Sequence, residues 1–134
     1  MISTKDWIKS HEGFSSKIYK CTAGANTIGY GRNLDDGGIT QAEADFMLDN
    51  DIAKCKSQLE KFTWYTRQPS GVQSALVNMC FNLGVTRLLQ FKKMIAALEV
   101  QKYNIAATEA LDSAWAKQVP NRAKEIIAVL REGR

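Results

Sequence analysis

Over most of this chain apolar residues fall at steps of three and four, and over one stretch near its start that rhythm is lost. Leu48, Ile52, Cys55, Leu59 and Phe62 make one apolar stripe on an otherwise charged surface, which predicts a long helix. Thr40 and Glu43 stand ahead of it as a capping box and predict its start. A helix of this kind can connect two lobes, each packing against part of its length. Past the punctuation of Pro69 and Gly71, a helix begins at Pro69, turns Val72, Leu76, Met79, Cys80 and Leu83 inward and stops at Gly84. Three more are predicted. One spans roughly 88–101, with Phe91, Met94, Ile95 and Leu98 apolar, and one runs from about 104 to 115 with Leu111 inward. The last opens at Pro120 and puts Ala123, Ile126, Ile127 and Leu130 on one face.

Upstream, Ser3 caps a first helix with Asp6 at its third position, and Gly13 ends it just after Glu12. From residue 15 to 34 the helical period disappears. "KIYKC" and "NTIGYG" are short β-prone runs, and "TAGA" between them supplies a turn. A small hairpin follows, with Gly24 in the turn and Gly29 and Gly31 leaving the backbone open to close approach. "NLDDGG" reads as a second turn. The fold class is therefore α+β and mainly α-helical: a small β-hairpin part, then a helical bundle.

Composition narrows this further. The 134 residues, 45% hydrophobic and 24% charged, suit one soluble domain with a real core. No apolar run approaches the ~20 residues of a membrane span, and the opening residues lack a secretory apolar region, so a soluble cytoplasmic product is expected. A net charge of +4 favours an anionic partner, but the basic residues are scattered and give nucleic acid no specific support. Three cysteines cannot all pair internally, so at least one thiol is free or joined to another molecule. No spacing suggests a metal site, and no lysine or serine follows the glycines as a phosphate loop requires.

Glu12 is the first candidate for chemistry. A carboxyl at a helix end beside an open, glycine-bearing hairpin is placed to act as a general acid, although a solvated helix-end glutamate has the same pattern. Cys21 sits just before the hairpin turn, where a thiol is reachable, whereas Cys55 and Cys80 lie on apolar stripes as small buried hydrophobes. His11 is the only histidine. A Cys21–His11 hydrolase is thus one reading, with a histidine that merely suits a helix C-terminus as its alternative. Thr27, on the far strand, can bring a hydroxyl to the same place, or serve only strand propensity.

Together these residues carry a resemblance. "HEG", "IYKCTAG" and "TIGYGRNL" look like the catalytic segment of phage-type lysozymes, the endolysins of glycoside hydrolase family 24. "VNMCFNLGV" resembles that family's central helix, and "AWAKQVPNRAKEII" its C-terminal Trp and Pro-Asn-Arg segment. Four such motifs in order cover nearly the whole chain. The resemblance implies a two-lobed lysozyme-like fold with the cleft between the lobes. One domain over 1–134 would hold a small lobe and connecting helix at about 13–60, and a helical lobe from 61–134 plus the helix at 3–12. It implies hydrolysis of the β-1,4 bond between N-acetylmuramic acid and N-acetylglucosamine in peptidoglycan. Glu12 matches the catalytic glutamate, Cys21 the position many members fill with aspartate, and Thr27 the third member of the triad. Gly31, Phe81 and Asn82 match cleft positions, and Arg122 an arginine able to pair with the glutamate. No cofactor and no metal are implied.

Two departures stand out. Arg32 occupies a place where many members have histidine, and the loop before the long helix is short, so the smaller lobe should be trimmed. The larger departure is Cys21, since a thiol with a pKa of about 8.5 is mostly neutral at pH 7. Cysteine does occur here in some phage lysozymes, and whether it positions water or attacks directly stays open. By resemblance the protein is a monomer that acts on glycan strands without binding nucleic acid or inserting stably in a membrane. It would wait in the host cytoplasm until a holin opens the way to the periplasm and wall. A lytic transglycosylase acting on the same bond, a Cys21–His11 peptidase or amidase, and a non-catalytic wall-binding module are the alternatives.

Overall fold

The computed structural model describes all residues from Met1 to Arg134, and the chain divides into two compact units, Met1–Phe46 and Met47–Arg134. In the first unit α1 (Thr4–Glu12) opens at Ser3, whose hydroxyl accepts the Asp6 N–H, and closes at Gly13. An antiparallel sheet of three strands follows in sequence order, β1 (Ser15–Lys20), β2 (Asn26–Gly29) and β3 (Arg32–Asn33). Between the Ser15–Gly29 and Tyr19–Thr27 pairs the register slips, so β1 carries a bulge around residues 16–18. "NLDDGG" is more than a turn. Arg32 and Asn33 pair with Ile28 and Thr27, and Asn33 then caps a single helical turn, α2 (Leu34–Gly37), by accepting the Asp36 N–H.

The predicted capping box is complete. Glu43 Oε1 accepts the Thr40 N–H at 2.9 Å while Thr40 Oγ1 accepts the Glu43 N–H at 3.1 Å, and α3 (Gln41–Leu59) starts there. The unit boundary falls within this helix.

The second unit is helical: α4 (Thr63–Thr66), α5 (Ser70–Leu83), α6 (Val85–Leu88), α7 (Lys92–Glu99), α8 (Tyr103–Leu111), α9 (Ala114–Gln118) and α10 (Pro120–Glu132). Its core is built from Leu59, Val72, Leu76, Met79, Cys80, Leu88, Met94, Leu98 and Leu130, all fully buried. The α10 face is as predicted, with Ala123, Ile126, Ile127 and Leu130 inside. Three expectations change. The helix predicted over 88–101 is two, because turns of i to i−3 hydrogen bonds at Gln90 and Phe91 separate α6 from α7. The one predicted over 104–115 is also two: Ser113 caps α9 by accepting the Ala116 N–H, and Leu111, at the end of α8, is exposed where it was expected inward. Leu48 on the α3 stripe is likewise exposed, although Cys55 and Leu59 are buried. No helix is long and apolar enough to cross a membrane.

Candidate active site

Glu12 is the last residue of α1, so its side chain leaves the helix where the chain turns into the sheet. Two contacts run from the end of α1 to Tyr30 in the turn between β2 and β3. Phe14 packs against Tyr30 with ring centroids 5.5 Å apart, and the Lys9 ammonium lies 5.2 Å from the centre of the same Tyr30 ring. The result sets the Glu12 carboxylate against Gly31: a β-carbon on Gly31 would fall 2.8 Å from Glu12 Oε2. Gly31 has φ +84°, a conformation that favours glycine, and any side chain there would push the end of the Glu12 carboxylate aside. Glu12 also borders an open pocket of about 350 Å³ with Gly13, Phe14, Ser15 and Tyr19.

Cys21 and Thr27 face one another across the hairpin end. The Cys21 N–H donates to Ala25 O at 3.0 Å, and the Gly24 N–H donates to Cys21 O at 2.8 Å, which closes the turn with Gly24 at φ +83°. Thr27 is buried in the middle of the sheet, opposite Tyr19 on one side and Asn33 on the other. Its hydroxyl donates to Ala25 O at 2.9 Å and lies within reach of the Cys21 thiol. The Ala25 backbone N–H, then that of Ala23, with help from Thr27 and Gly24, holds the Cys21 thiol below its ordinary pKa. The thiolate is thus favoured by a cradle of donors. This shifts a group expected to be neutral toward the anion that an aspartate would present.

None of the groups that lower the Cys21 pKa is His11. The imidazole instead sits beside Trp7 on α1, ring centroids 5.8 Å apart. The other two thiols are buried neighbours, and burial with the Cys55 side chain beside it pushes Cys80 up to about 12.

Sequence reasoning overlooked the polar frame of this unit. Asn26, next to Thr27, donates from its backbone N–H (2.9 Å) and its side-chain amide (3.1 Å) to the Asp35 carboxylate, which pulls Asp35 below its ordinary pKa. Arg32 makes a bidentate pair with Glu43, and the guanidinium with the Thr40 N–H lowers Glu43 to about 2. A carboxylate in a turn nine residues after an asparagine carries no periodic signal, so only the fold reveals it. No group of three His, Cys, Asp or Glu side chains is placed to hold a metal ion.

In the second unit Phe81 and Arg122 line one pocket of about 660 Å³ with Leu48, Ile52, Tyr65 and Val77. Asn82, adjacent in sequence to Phe81, points elsewhere and accepts the Trp115 indole N–H at 2.9 Å. Trp115 in turn borders a separate open pocket of about 540 Å³ with Leu83, Arg87, Phe91 and Ser113. Of the second-unit candidates, Phe81 and Arg122 thus share a pocket, whereas Asn82 lines neither of the two and reaches the second only through Trp115.

Comparison with known proteins bears on these positions. The chain is 29% identical to the probable T4-type lysozyme 1 of Dictyostelium discoideum, over 98% of this chain and 95% of that protein. The alignment runs to 161 positions, longer than this chain, so the relative has residues without a counterpart here. An endolysin of Acyrthosiphon pisum secondary endosymbiont phage 1 is 33% identical over 85% of this chain and 77% of its own length. The pre-baseplate central spike protein Gp5 of Enterobacteria phage T4 is 24% identical over 98% of this chain but only 28% of that protein. The phage lysozyme family model matches residues 9–132, a span that holds Glu12, Cys21, Thr27 and both units, and the chain belongs to the phage lysozyme family.

Proposed function

We propose that this lysozyme-family protein is an endolysin that hydrolyses the β-1,4 bond between N-acetylmuramic acid and N-acetylglucosamine in peptidoglycan. Glu12 gives its proton to the glycosidic oxygen as the bond breaks toward an oxocarbenium-like state. Cys21 and Thr27 hold the water that attacks the anomeric carbon from the opposite face. The water's oxygen bonds to the anomeric carbon as the bond to the leaving oxygen breaks, and its proton passes to the Cys21 sulfur in its thiolate form; attack from the face opposite the leaving group gives inversion. Gly31, Phe81, Asn82 and Arg122 are the candidates for contact with the glycan. The chemistry needs only proton transfer and a placed water, so no cofactor enters the reading. The protein would act as a monomer, reaching the wall from the host cytoplasm once a holin has opened the membrane, and its charge of +4 would favour capture by an anionic wall.

The observation that supports this reading best is the Cys21 thiol in its cradle of backbone donors with Thr27, in the same unit as Glu12 and Gly31. In its thiolate form, which these donors favour relative to a free cysteine, Cys21 can accept a hydrogen bond from water as a carboxylate does. The test compares wild type with Glu12→Gln, Cys21→Ala and Cys21→Asp on purified peptidoglycan, with analysis of the sugar ends released. Loss in the first, strong loss in the second, retained activity in the third and reducing N-acetylmuramic ends are expected. A 1,6-anhydro end would replace hydrolysis by transglycosylation. Inactivity of Cys21→Asp beside an active wild type would replace water placement by thiol-specific chemistry.

A further inference from the structure

Gly31 carries the backbone against which Glu12 rests, and it has no side chain by which to be held. It lies two residues after Gly29, also at positive φ (+69°), in the turn closed by the Ile28–Arg32 pair, and the two-residue strand beyond adds only the Thr27–Asn33 pair. The side chain of the next residue adds a second restraint to that backbone pairing. Arg32 Nη1 and Nη2 donate to Glu43 Oε1 (2.9 Å) and Oε2 (2.6 Å), and Nη1 also donates to Gly38 O at 3.1 Å. Glu43 is itself held in its turn, because its carboxylate accepts the Thr40 N–H and its own N–H donates to Thr40 Oγ1. The guanidinium therefore ties the residue after Gly31 to a carboxylate built into the first turn of α3.

Such a pair contributes only modestly to folding. The Arg32 side chain is 46% exposed and that of Glu43 40%, so water screens their attraction. What the pair supplies is geometry, since two parallel N–H···O bonds fix both direction and distance, which an ammonium in place of the guanidinium does not. We propose that Arg32 and Glu43 are positioning residues for the reaction: their ion pair fixes the Gly31 backbone and, through it, the direction of the Glu12 carboxylate. This rests on the reading of Glu12 as the general acid.

The experiment uses the full chain, with kcat and KM measured separately on soluble glycan strands and thermal unfolding followed alongside. Arg32→Lys keeps the charge and loses the fork; Glu43→Gln keeps a group able to cap Thr40 and loses the charge. Each is expected to lower kcat about tenfold, because small misplacements of a catalytic group are costly, with KM within about twofold of wild type. The double variant should be no worse than the poorer single one, as expected for residues acting through one contact. Unchanged kcat in both single variants would overturn the proposal. So would losses that multiply in the double variant, or losses that appear in KM alone. Glu12→Gln in the same assay separates the two failures. If it stays active, the acid is misassigned whatever Arg32 does; if it is inactive while Arg32→Lys and Glu43→Gln are normal, only the positioning role falls.

Discussion

Glu12 Oε2 stands 2.8 Å from the point that a β-carbon on Gly31 would occupy, a separation that real β-carbons do not show. Alanine at Gly31 must therefore displace the carboxylate as well as adopt a φ of +84°. Gly24 has nearly the same φ, +83°, and open space around it. The pair separates strain from displacement. Each substitution should cost about 1 kcal/mol in stability from the left-handed backbone, but only Gly31→Ala should lower peptidoglycan clearing strongly, by about 100-fold. Equal clearing by the two variants would mean that the Glu12 contact with Gly31 has no part in the activity.

The three thiols should differ sharply in reactivity. Cys21 is partly exposed and its pKa is lowered by the Ala25, Ala23 and Gly24 backbone and the Thr27 hydroxyl, whereas Cys80 is buried and raised to about 12. Iodoacetamide at neutral pH should modify Cys21 first and stop near one equivalent in the folded protein. The rate should rise with pH through a midpoint below that of free cysteine, because a depressed pKa means the thiolate is reached earlier. Peptide mapping after brief labelling reads the site, and preferential labelling of Cys55 or Cys80 would contradict the burial described here.

Glu43 gives a pH signature of its own. Its carboxyl lies at about 2 in the fold against an ordinary 4.5, so the fold binds its proton less readily than the unfolded chain does. The stability it contributes is present above the unfolded value and is lost as pH falls from about 4.5 toward 2. The difference in unfolding midpoint between wild type and Glu43→Gln should thus be flat above pH 5 and shrink below it. A difference that grew as the solution was acidified would have the wrong sign.

What could be read in the sequence was local. Ser3 with Asp6, Thr40 with Glu43, Pro69 and Gly84 around α5, and Pro120 at the start of α10 each act within one turn of backbone, and each does so in the structure. The short helices α4, α6 and α9 were not legible, since a span of four or five residues has no period to detect. Leu111 misled because the helix expected to run on to 115 ends at Leu111 itself, with Asp112 and Ser113 beginning a new cap beside it. The site residues were visible as a resemblance. Their supports, Asp35 for Asn26 and Glu43 for Arg32, join positions nine and eleven residues apart, and only the folded hairpin brings those together.

Gln68 is buried in the second unit with each of its groups used: its amide donates to Trp64 O (2.7 Å) and Leu98 O (2.9 Å), and its carbonyl accepts from the Tyr103 hydroxyl at 2.7 Å. This triangle ties α4 to the ends of α7 and α8. Tyr103→Phe removes one donor and leaves a buried acceptor unpartnered, at a cost of about 1–3 kcal/mol. Thermal unfolding should report a drop of several degrees with no change in clearing at permissive temperature. A variant as stable as wild type would mean that water replaces the hydroxyl without loss.

Gln101 is the one residue other than glycine with positive φ, +56°, and it sits where a glycine would serve better. The Gln101 N–H donates to Leu98 O and the Lys102 N–H reaches back to Ala97 O at 2.9 Å, the paired bonds of a Schellman motif closing α7. A side chain in this conformation costs roughly 1–2 kcal/mol. Glycine removes that strain but adds freedom to the unfolded chain, which offsets about 0.4–1 kcal/mol. The strain is the larger quantity, so Gln101→Gly should stabilise by about 0.5–1 kcal/mol and raise the unfolding midpoint by a few degrees. Gln101→Val should do the reverse, because a β-branched side chain tolerates positive φ least. If the glycine variant unfolds earlier than wild type, the Gln101 side chain contributes a stabilising contact that outweighs the backbone strain.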